Sequence, residues 1–370
     1  MISKLNLKNF AAFKELDMEL SPKINVIIGE NSCGKTQLLK AIHCLSTPTD
    51  NISDRLIRLF KPRNNRLSSL YFKGGDGNAE VSIADASDRQ TKLIFGRNTQ
   101  QVSGPIIPSD SSGVLIPTKE VVSLLPAIAS GSVNDEALNA LFDDSVVDIC
   151  HQLLREPAED LQERINKEPR LGELLPALAV ALHGRYVLTE DDQYFVQGTY
   201  QEKMDSSASK NVQAQIYRDN TQQYFKKTPD SEVSLSMTAE GYRKVGVLQR
   251  LLENGSLMPG SSGVLLWDEP EANINPILMQ MLVECLVELS RNGQQIVIAT
   301  HNYVLLKWFD LLINKKKGDH ILFHALSKSD EGLITLESSD NYKQLHHNAI
   351  ADTYSQLYDA EIERSLGSTQ

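Results

Sequence analysis

The segment Gly29-Glu30-Asn31-Ser32-Cys33-Gly34-Lys35-Thr36 constrains this chain more than any other. It fits G-x-x-x-x-G-K-T, and its flanks supply the context such a loop requires. Val26, Ile27 and Ile28 before it read as a buried strand; Leu38, Leu39 and Ile42 after it read as one face of a helix. Glycine adopts backbone torsions closed to other residues, so successive N–H groups can turn inward around a polyphosphate. Gly29, Asn31, Ser32, Cys33 and Gly34 form the candidate cradle. Lys35 adds a point charge near the β- and γ-phosphates, Thr36 offers a hydroxyl to Mg²⁺, and the start of the helix adds its dipole. ATP with Mg²⁺ is therefore the expected pair of ligands.

A second feature completes that chemistry. Gly263-Val264-Leu265-Leu266-Trp267-Asp268-Glu269-Pro270 is an apolar strand ending in two adjacent carboxylates. Asp268 is placed to hold Mg²⁺ opposite Thr36, and Glu269 to polarise the water that attacks the γ-phosphate. Further on, Gln295 to Ala299 reads as another strand, ending at Thr300-His301. At the tip of a parallel neighbour His301 would face the same phosphates, as a sensor of the γ-phosphate.

With 370 residues, 41% of them hydrophobic and 23% charged, the chain can bury a large core in one large domain or two. No run of eighteen apolar residues and no charged leader with an apolar core is present, so neither a membrane span nor a secretory signal is expected and the compartment is expected to be the cytoplasm. Cys33, Cys44, Cys150 and Cys285 are scattered and form no C-x-x-C pair, which suits reduced thiols. The net charge of −11 excludes attraction to nucleic acid by the overall charge. Any such contact must be local, at Arg55, Arg58, Lys61, Arg63 and Arg66 around Phe60, or at Lys315-Lys316-Lys317.

Along the chain, Ile2 to Phe10 alternates as a half-buried strand, with further strands around Leu16 to Leu20 and Ile24 to Ile28. The phosphate loop is thus expected to be entered from a small antiparallel sheet. A basic amphipathic segment covers Ile52 to Phe60, and strands are expected at Glu80 to Ala84, Lys92 to Phe95 and Val114 to Ile116. From Thr118 to about His183 the pattern is helical but interrupted by Pro126, Pro157, Pro169 and Pro176, which excludes long coiled-coil arms. Two short strands follow at Tyr186 to Leu188 and Tyr194 to Gln197, then a polar stretch from Gln201 to Asn211 that reads as a mobile loop. These elements suggest an N-terminal lobe over residues 1–117, a mainly helical insert over 118–230 and a C-terminal lobe over 231–370.

The order of phosphate loop, insert, D-E-P-E-A-N-I-N-P and A-T-H-N resembles the ABC-type P-loop ATPases of the SMC, RecF and OLD kind. The resemblance covers roughly residues 1 to 47 and 232 to 328. It implies an α/β head with a mixed sheet, an N-terminal antiparallel β subdomain and a helical insert, and a dimer in which two heads enclose ATP. In that family a signature segment closes the partner's nucleotide. Leu235 to Lys244 matches it, with Ala239 and Glu240 where transporters carry Ser and Gly, and Ser236 and Gly241 are the candidate contacts. Asn273 and Asn275 fall at the family's interface loop. The family's lid glutamine has no clear counterpart; Gln100 and Gln101 are weak candidates. Phe10 and Phe13 fit core packing better than an adenine wall.

The resemblance implies an ATP hydrolase that dimerises around nucleotide. The stretch after His301 is too short for the Toprim nuclease of OLD proteins, so a separate effector protein is expected. Leu115-Ile116-Pro117-Thr118-Lys119-Glu120 and Ala239-Glu240-Gly241-Tyr242-Arg243-Lys244 are similar to ATPase subunits of bacterial anti-phage systems such as Septu and PARIS. A RecF-like DNA-repair ATPase is the alternative, weakened by the acidic balance. A transporter subunit is a more distant one, opposed by the altered signature and the long insert.

Overall fold

The computed structural model describes residues 1–49, 51–107, 112–157, 161–167, 169, 171–202, 223–258, 263–346 and 349–366. Most of the stretch read from sequence as a mobile loop, residues 203–211, lies outside them. In chain order the first elements are β1 (Ile2–Phe10), β2 (Phe13–Glu19), β3 (Ile24–Gly29), α1 (Lys35–Ser46), α2 (Ile52–Phe60), β4 (Ala79–Asp85), β5 (Gln90–Phe95) and β6 (Val114–Ile116). The middle of the chain carries α3 (Leu125–Ala129), α4 (Asp135–Leu141), α5 (Asp144–Leu154), α6 (Leu161–Lys167), α7 (Leu171–Leu182), β7 (Gly184–Leu188), β8 (Gln193–Glu202), β9 (Gln223–Ser234) and α8 (Glu240–Glu253). Then come β10 (Leu265–Asp268), α9 (Pro276–Arg291), β11 (Ile296–Thr300), α10 (Tyr303–Leu312), β12 (Ile321–Lys328), β13 (Ile334–Ser339) and α11 (Ala349–Ser365).

Two compact units emerge. The first comprises Met1–Thr118, Pro259–Glu271 and Leu286–Gln370. Its six-stranded sheet has the order β13-β12-β3-β11-β10-β6, in which β12, β3, β11, β10 and β6 run parallel and β13 is antiparallel. The central strands β3, β10 and β11 are buried throughout and predominantly apolar, as the strands of a parallel sheet covered on both faces tend to be, with Asn25 as a polar exception inside β3. A separate antiparallel sheet, β2-β1-β4-β5, shows the alternation of a half-covered sheet from Glu15 to Glu19 of β2: Leu16 and Met18 are buried and Glu15, Asp17 and Glu19 exposed, while Phe13 is buried at the start of the strand. Phe10 and Phe13 are fully buried in this core, beside Leu38, Leu39 and Ile42 of α1.

The antiparallel sheet expected at the N-terminus is present, but β3 is not part of it. β3 pairs in parallel with β11 and β12, strands far along the chain, so the phosphate loop leaves the mixed sheet instead. Pro22 marks a change of sheet, which local pattern cannot distinguish from a hairpin turn.

The second unit comprises Lys119–Met258 and Ala272–Cys285. Val146, Ile149, Cys150 and Leu153 form the buried stripe of α5, whose first turn is capped by Asp143 accepting the Ser145 N–H at 3.0 Å. β8 pairs with β7 on one side and on the other with a further antiparallel strand, β9, which the sequence pattern does not announce. Among the described residues no helix is long and apolar enough to cross a membrane. All four cysteines are buried and in no disulfide, and burial pushes the Cys150 and Cys285 thiols up to about 12, which makes both poor nucleophiles.

Candidate active site

Register brings the candidate residues of the first unit together. Ile28 of β3 pairs with Thr300 of β11, and Ala299 of β11 with Asp268 of β10. Gly29, Asp268 and His301 therefore emerge at the same carboxyl edge of three adjacent parallel strands, where open α/β sheets place their ligands.

The loop beyond β3 is shaped by its glycines. Gly29 has φ 152°, and a Cβ there would meet the Leu326 carbonyl oxygen of β12 at 2.5 Å. Gly34 precedes α1 with φ 85°, and a Cβ there would strike the Phe13 ring at 2.5 Å. No side chain caps the start of α1, so its first amides remain available as donors for an anion. Asn31 and Ser32 are exposed, Ser32 in the left-handed region at φ 65°, whereas Cys33 is buried. Lys35 is almost buried, and its Nζ donates to the Gly29 and Glu30 carbonyls at 2.7 and 2.9 Å. The ammonium thus lies against the loop's own backbone.

Thr36, one residue into α1, donates from Oγ1 to Asp268 Oδ2 at 2.8 Å. Burial pushes the Asp268 carboxyl above the usual carboxylate range, opposed by hydrogen bonds from the hydroxyls of Thr36 and Thr118. One carboxylate and a hydroxyl converging at the loop are hard oxygen donors, the set that suits Mg²⁺ shared with phosphate oxygens and water. Among the described residues no cluster of three or more His, Cys, Asp or Glu forms an all-protein metal cage.

Glu269 follows Asp268 with φ 48°, a left-handed conformation that costs a non-glycine residue on the order of 1–2 kcal/mol. Its N–H donates to the Ala299 carbonyl at 2.8 Å, which fixes the turn against β11. Its Oε1 lies 3.1 Å from His301 Nδ1. Lys35, Thr36, Asp268, Glu269 and His301 thus share one edge of one sheet.

Two residues at this edge were not singled out from the sequence. Thr118 reaches Asp268 from just beyond β6, and Glu271 is buried beneath the tip of β11, its Oε1 accepting from the Thr300 hydroxyl at 2.7 Å and from the His301 N–H at 3.1 Å. Burial pushes the Glu271 carboxyl upward, and the Thr300 hydroxyl opposes this. The L-I-P-T-K-E and D-E-P-E motifs contained both residues; only their three-dimensional neighbours set them apart.

The signature candidates belong to the second unit. Ser236 is exposed in the turn before α8, whereas Gly241 is buried, and a Cβ there would meet the Asn273 carbonyl oxygen at 2.4 Å. The glycine is thus required by close backbone packing. Asn273, at φ 63°, donates from Nδ2 to Glu240 Oε1 at 2.6 Å, and Asn275 accepts the Ile277 N–H at 3.1 Å. Arg243 of α8 lies 3.2 Å from Glu120, joining the two short motifs noted in the sequence. Gln100 and Gln101 are exposed.

Known proteins match this arrangement. Residues 1–100 match the family model described as "AAA ATPase domain", and residues 165–307 the one described as "AAA domain, putative AbiEii toxin, Type IV TA system". An SMC head bound to the C-winged helix domain of ScpA superposes with a TM-score of 0.51 at 13% identity, covering 92% of this chain and 98% of that one. The chain is a P-loop ATPase whose fold is similar to that of SMC heads. Over 361 residues this ATPase is 21% identical to an "ATP/GTP phosphatase" of Helicobacter pylori, covering 90% of this chain and 94% of the relative. It is 52% identical over 103 residues to the DNA replication and repair protein RecF of Idiomarina loihiensis, a match spanning 28% of each. The Chlamydia abortus RecF matches over 45 residues at 53% identity, 12% of each chain. The ATPase therefore spans only a minor part of the RecF proteins it matches.

Proposed function

We propose that this ATPase binds ATP with Mg²⁺ at the edge formed by β3, β10 and β11, closes on it as a homodimer, and controls a separate effector protein in the cytoplasm. The observation that carries the reading is the convergence of Thr36 with Asp268, and of Glu269 with His301, around the Lys35 loop. In this reading the loop amides and Lys35 hold the triphosphate, and Thr36 and Asp268 hold Mg²⁺, which when bound neutralises charge on the β- and γ-phosphate oxygens. Glu269 accepts a proton from the attacking water, and His301 contacts the γ-phosphate.

Closure on a second copy is supported by the apolar side chains exposed along the signature and interface segments. Met237 is 77% and Ile277 80% exposed, on the two segments that the Asn273–Glu240 hydrogen bond joins. A protein effector is consistent with the SMC head bound to the C-winged helix domain of ScpA, and anti-phage defence is the setting suggested by the resemblance of residues 115–120 and 239–244 to such ATPase subunits.

Glu269→Gln tests the core of this reading. The variant should bind ATP normally, hydrolyse it at least about a hundredfold more slowly, and accumulate as a dimer in light scattering with ATP and Mg²⁺. A variant that stays monomeric at saturating nucleotide overturns the homodimer. Co-purification of a protein encoded alongside tests the effector.

A RecF-like role on DNA is favoured by one observation: Arg58 of α2 and Lys61, Arg63 and Arg66 just beyond it are all exposed. Arg55 is not part of that surface, being buried with its Nη2 donating to His43 Nε2 at 3.1 Å. An ATP-dependent, salt-sensitive shift of duplex DNA would select this reading.

A further inference from the structure

Glu271 sits two positions beyond Glu269, yet its environment is the opposite. Its side chain is 3% exposed, against 26% for Glu269. The contacts of its Oε1 fall on a single turn: the Thr300 hydroxyl, the His301 N–H and, at 3.8 Å, His301 Nδ1. Its Oε2 is buried with no hydrogen-bond partner among the described residues. A carboxylate kept for packing alone would be better replaced by an apolar or fully satisfied side chain, because burying an unsatisfied charged group is unfavourable.

The His301 ring is itself half exposed and has Glu269 as its other acid neighbour. The contacts of Glu271 to the Thr300 hydroxyl and the His301 N–H do not depend on the orientation of Glu269, so they hold the base of the ring while that carboxylate engages the water.

We propose that Glu271 is a positioning residue for hydrolysis, clamping the Thr300–His301 turn so that Nδ1 faces the carboxylates and Nε2, across the ring, faces away from them toward the phosphates. The inference rests on the assignment of His301 to the γ-phosphate made above. Glu271 touches neither nucleotide nor water in this scheme and acts only through His301.

The test uses the full chain, with steady-state hydrolysis, binding of a fluorescent ATP analogue and thermal melting of Glu271→Ala, Glu271→Gln, His301→Ala and the Glu271→Ala/His301→Ala pair. Glu271→Ala should lower kcat about tenfold or more while KM and analogue affinity stay within about twofold. Glu271→Gln, whose amide oxygen keeps both acceptor contacts, should recover most of the rate. In the His301→Ala background Glu271→Ala should add less than about a twofold loss. Parent-like kcat in Glu271→Ala, or an equal loss in both backgrounds, overturns the proposal. If His301→Ala alone keeps the parent rate, the γ-phosphate assignment fails instead. Should Glu271→Ala not fold, Glu271→Asp, which withdraws the carboxylate by one methylene, carries the same comparison.

Discussion

The Thr36 hydroxyl and the Asp268 carboxylate meet at 2.8 Å although 232 positions separate them in the chain. Thr36 comes from the first turn of α1 and Asp268 from the last residue of β10, so the contact reports that two strand tips and a helix start have been brought into register. Asp268→Asn keeps the shape and removes the charge. Hydrolysis stimulated by Mg²⁺ should fall by about two orders of magnitude or more, while nucleotide binding in the presence of a chelator should be unchanged. A metal titration of both proteins checks it; an unaltered Mg²⁺ dependence would remove Asp268 from the metal site.

Lys35 donates to the Gly29 and Glu30 carbonyls, so its ammonium is already held at the mouth of the loop. Lys35→Ala should leave the fold intact, abolish ATP binding in a calorimetric titration and reduce hydrolysis to background. Retained affinity would mean that the phosphates are bound elsewhere.

Gly241→Ala introduces a methyl where the Asn273 carbonyl oxygen would lie at 2.4 Å. The start of α8 or the Asn273 segment must give way, at a cost of about 1–3 kcal/mol. The measurable outcome is a lower chemical-denaturation midpoint together with reduced hydrolysis. A parent-like midpoint would show that the two segments do not press on each other.

His324 offers a test of the sheet through pH. Its Nε2 lies 3.2 Å from Asn25 Oδ1 and its Nδ1 2.8 Å from the Ser338 hydroxyl. Because Asn25 Oδ1 can only accept, Nε2 carries the hydrogen and Nδ1 accepts from Ser338. Burial lowers the ring's pKa to about 3, below its ordinary value of about 6.5. Between those values the unfolded chain binds the extra proton and the folded chain does not, so stability falls as pH drops below about 6.5 and continues to fall down to about 3. At pH 5 this group should cost about 2 kcal/mol relative to pH 7. Unfolding of the parent and of His324→Asn at both pH values isolates it: their stability difference should change by that amount, and a constant difference would contradict a buried neutral ring.

Much of the architecture could be read from local pattern because the chain spells its central strands as short apolar runs ending in the candidate site residues. Val26 to Ile28, Leu265 to Trp267 and Ile296 to Ala299 could be recognised without neighbours, and so could the candidates at their tips. What escaped depends on long-range pairing. The placement of β3 is decided by β11 and β12, and β12 and β13 were missed because Ile321 to Ser339 carries charged and polar residues among its apolar ones. β9 reads as polar, with Lys226, Lys227, Asp230 and Glu232 along it, and becomes a strand by pairing with β8. Glu271 looked like one more acid in an acidic loop, because burial is what distinguishes it from Glu269, and burial has no one-dimensional signal at a turn.

β11 is hydrogen-bonded to β3 on one side and to β10 on the other. A strand held along both edges cannot advance or retreat without breaking two ladders, so the backbone spacing between the loop glycine, the acid pair and the histidine is fixed before any substrate arrives. Side chains and the turns beyond the strand tips are therefore the parts of this edge left free to adjust around a substrate. Any larger backbone movement that accompanies turnover is expected beyond the strand ends rather than within this sheet.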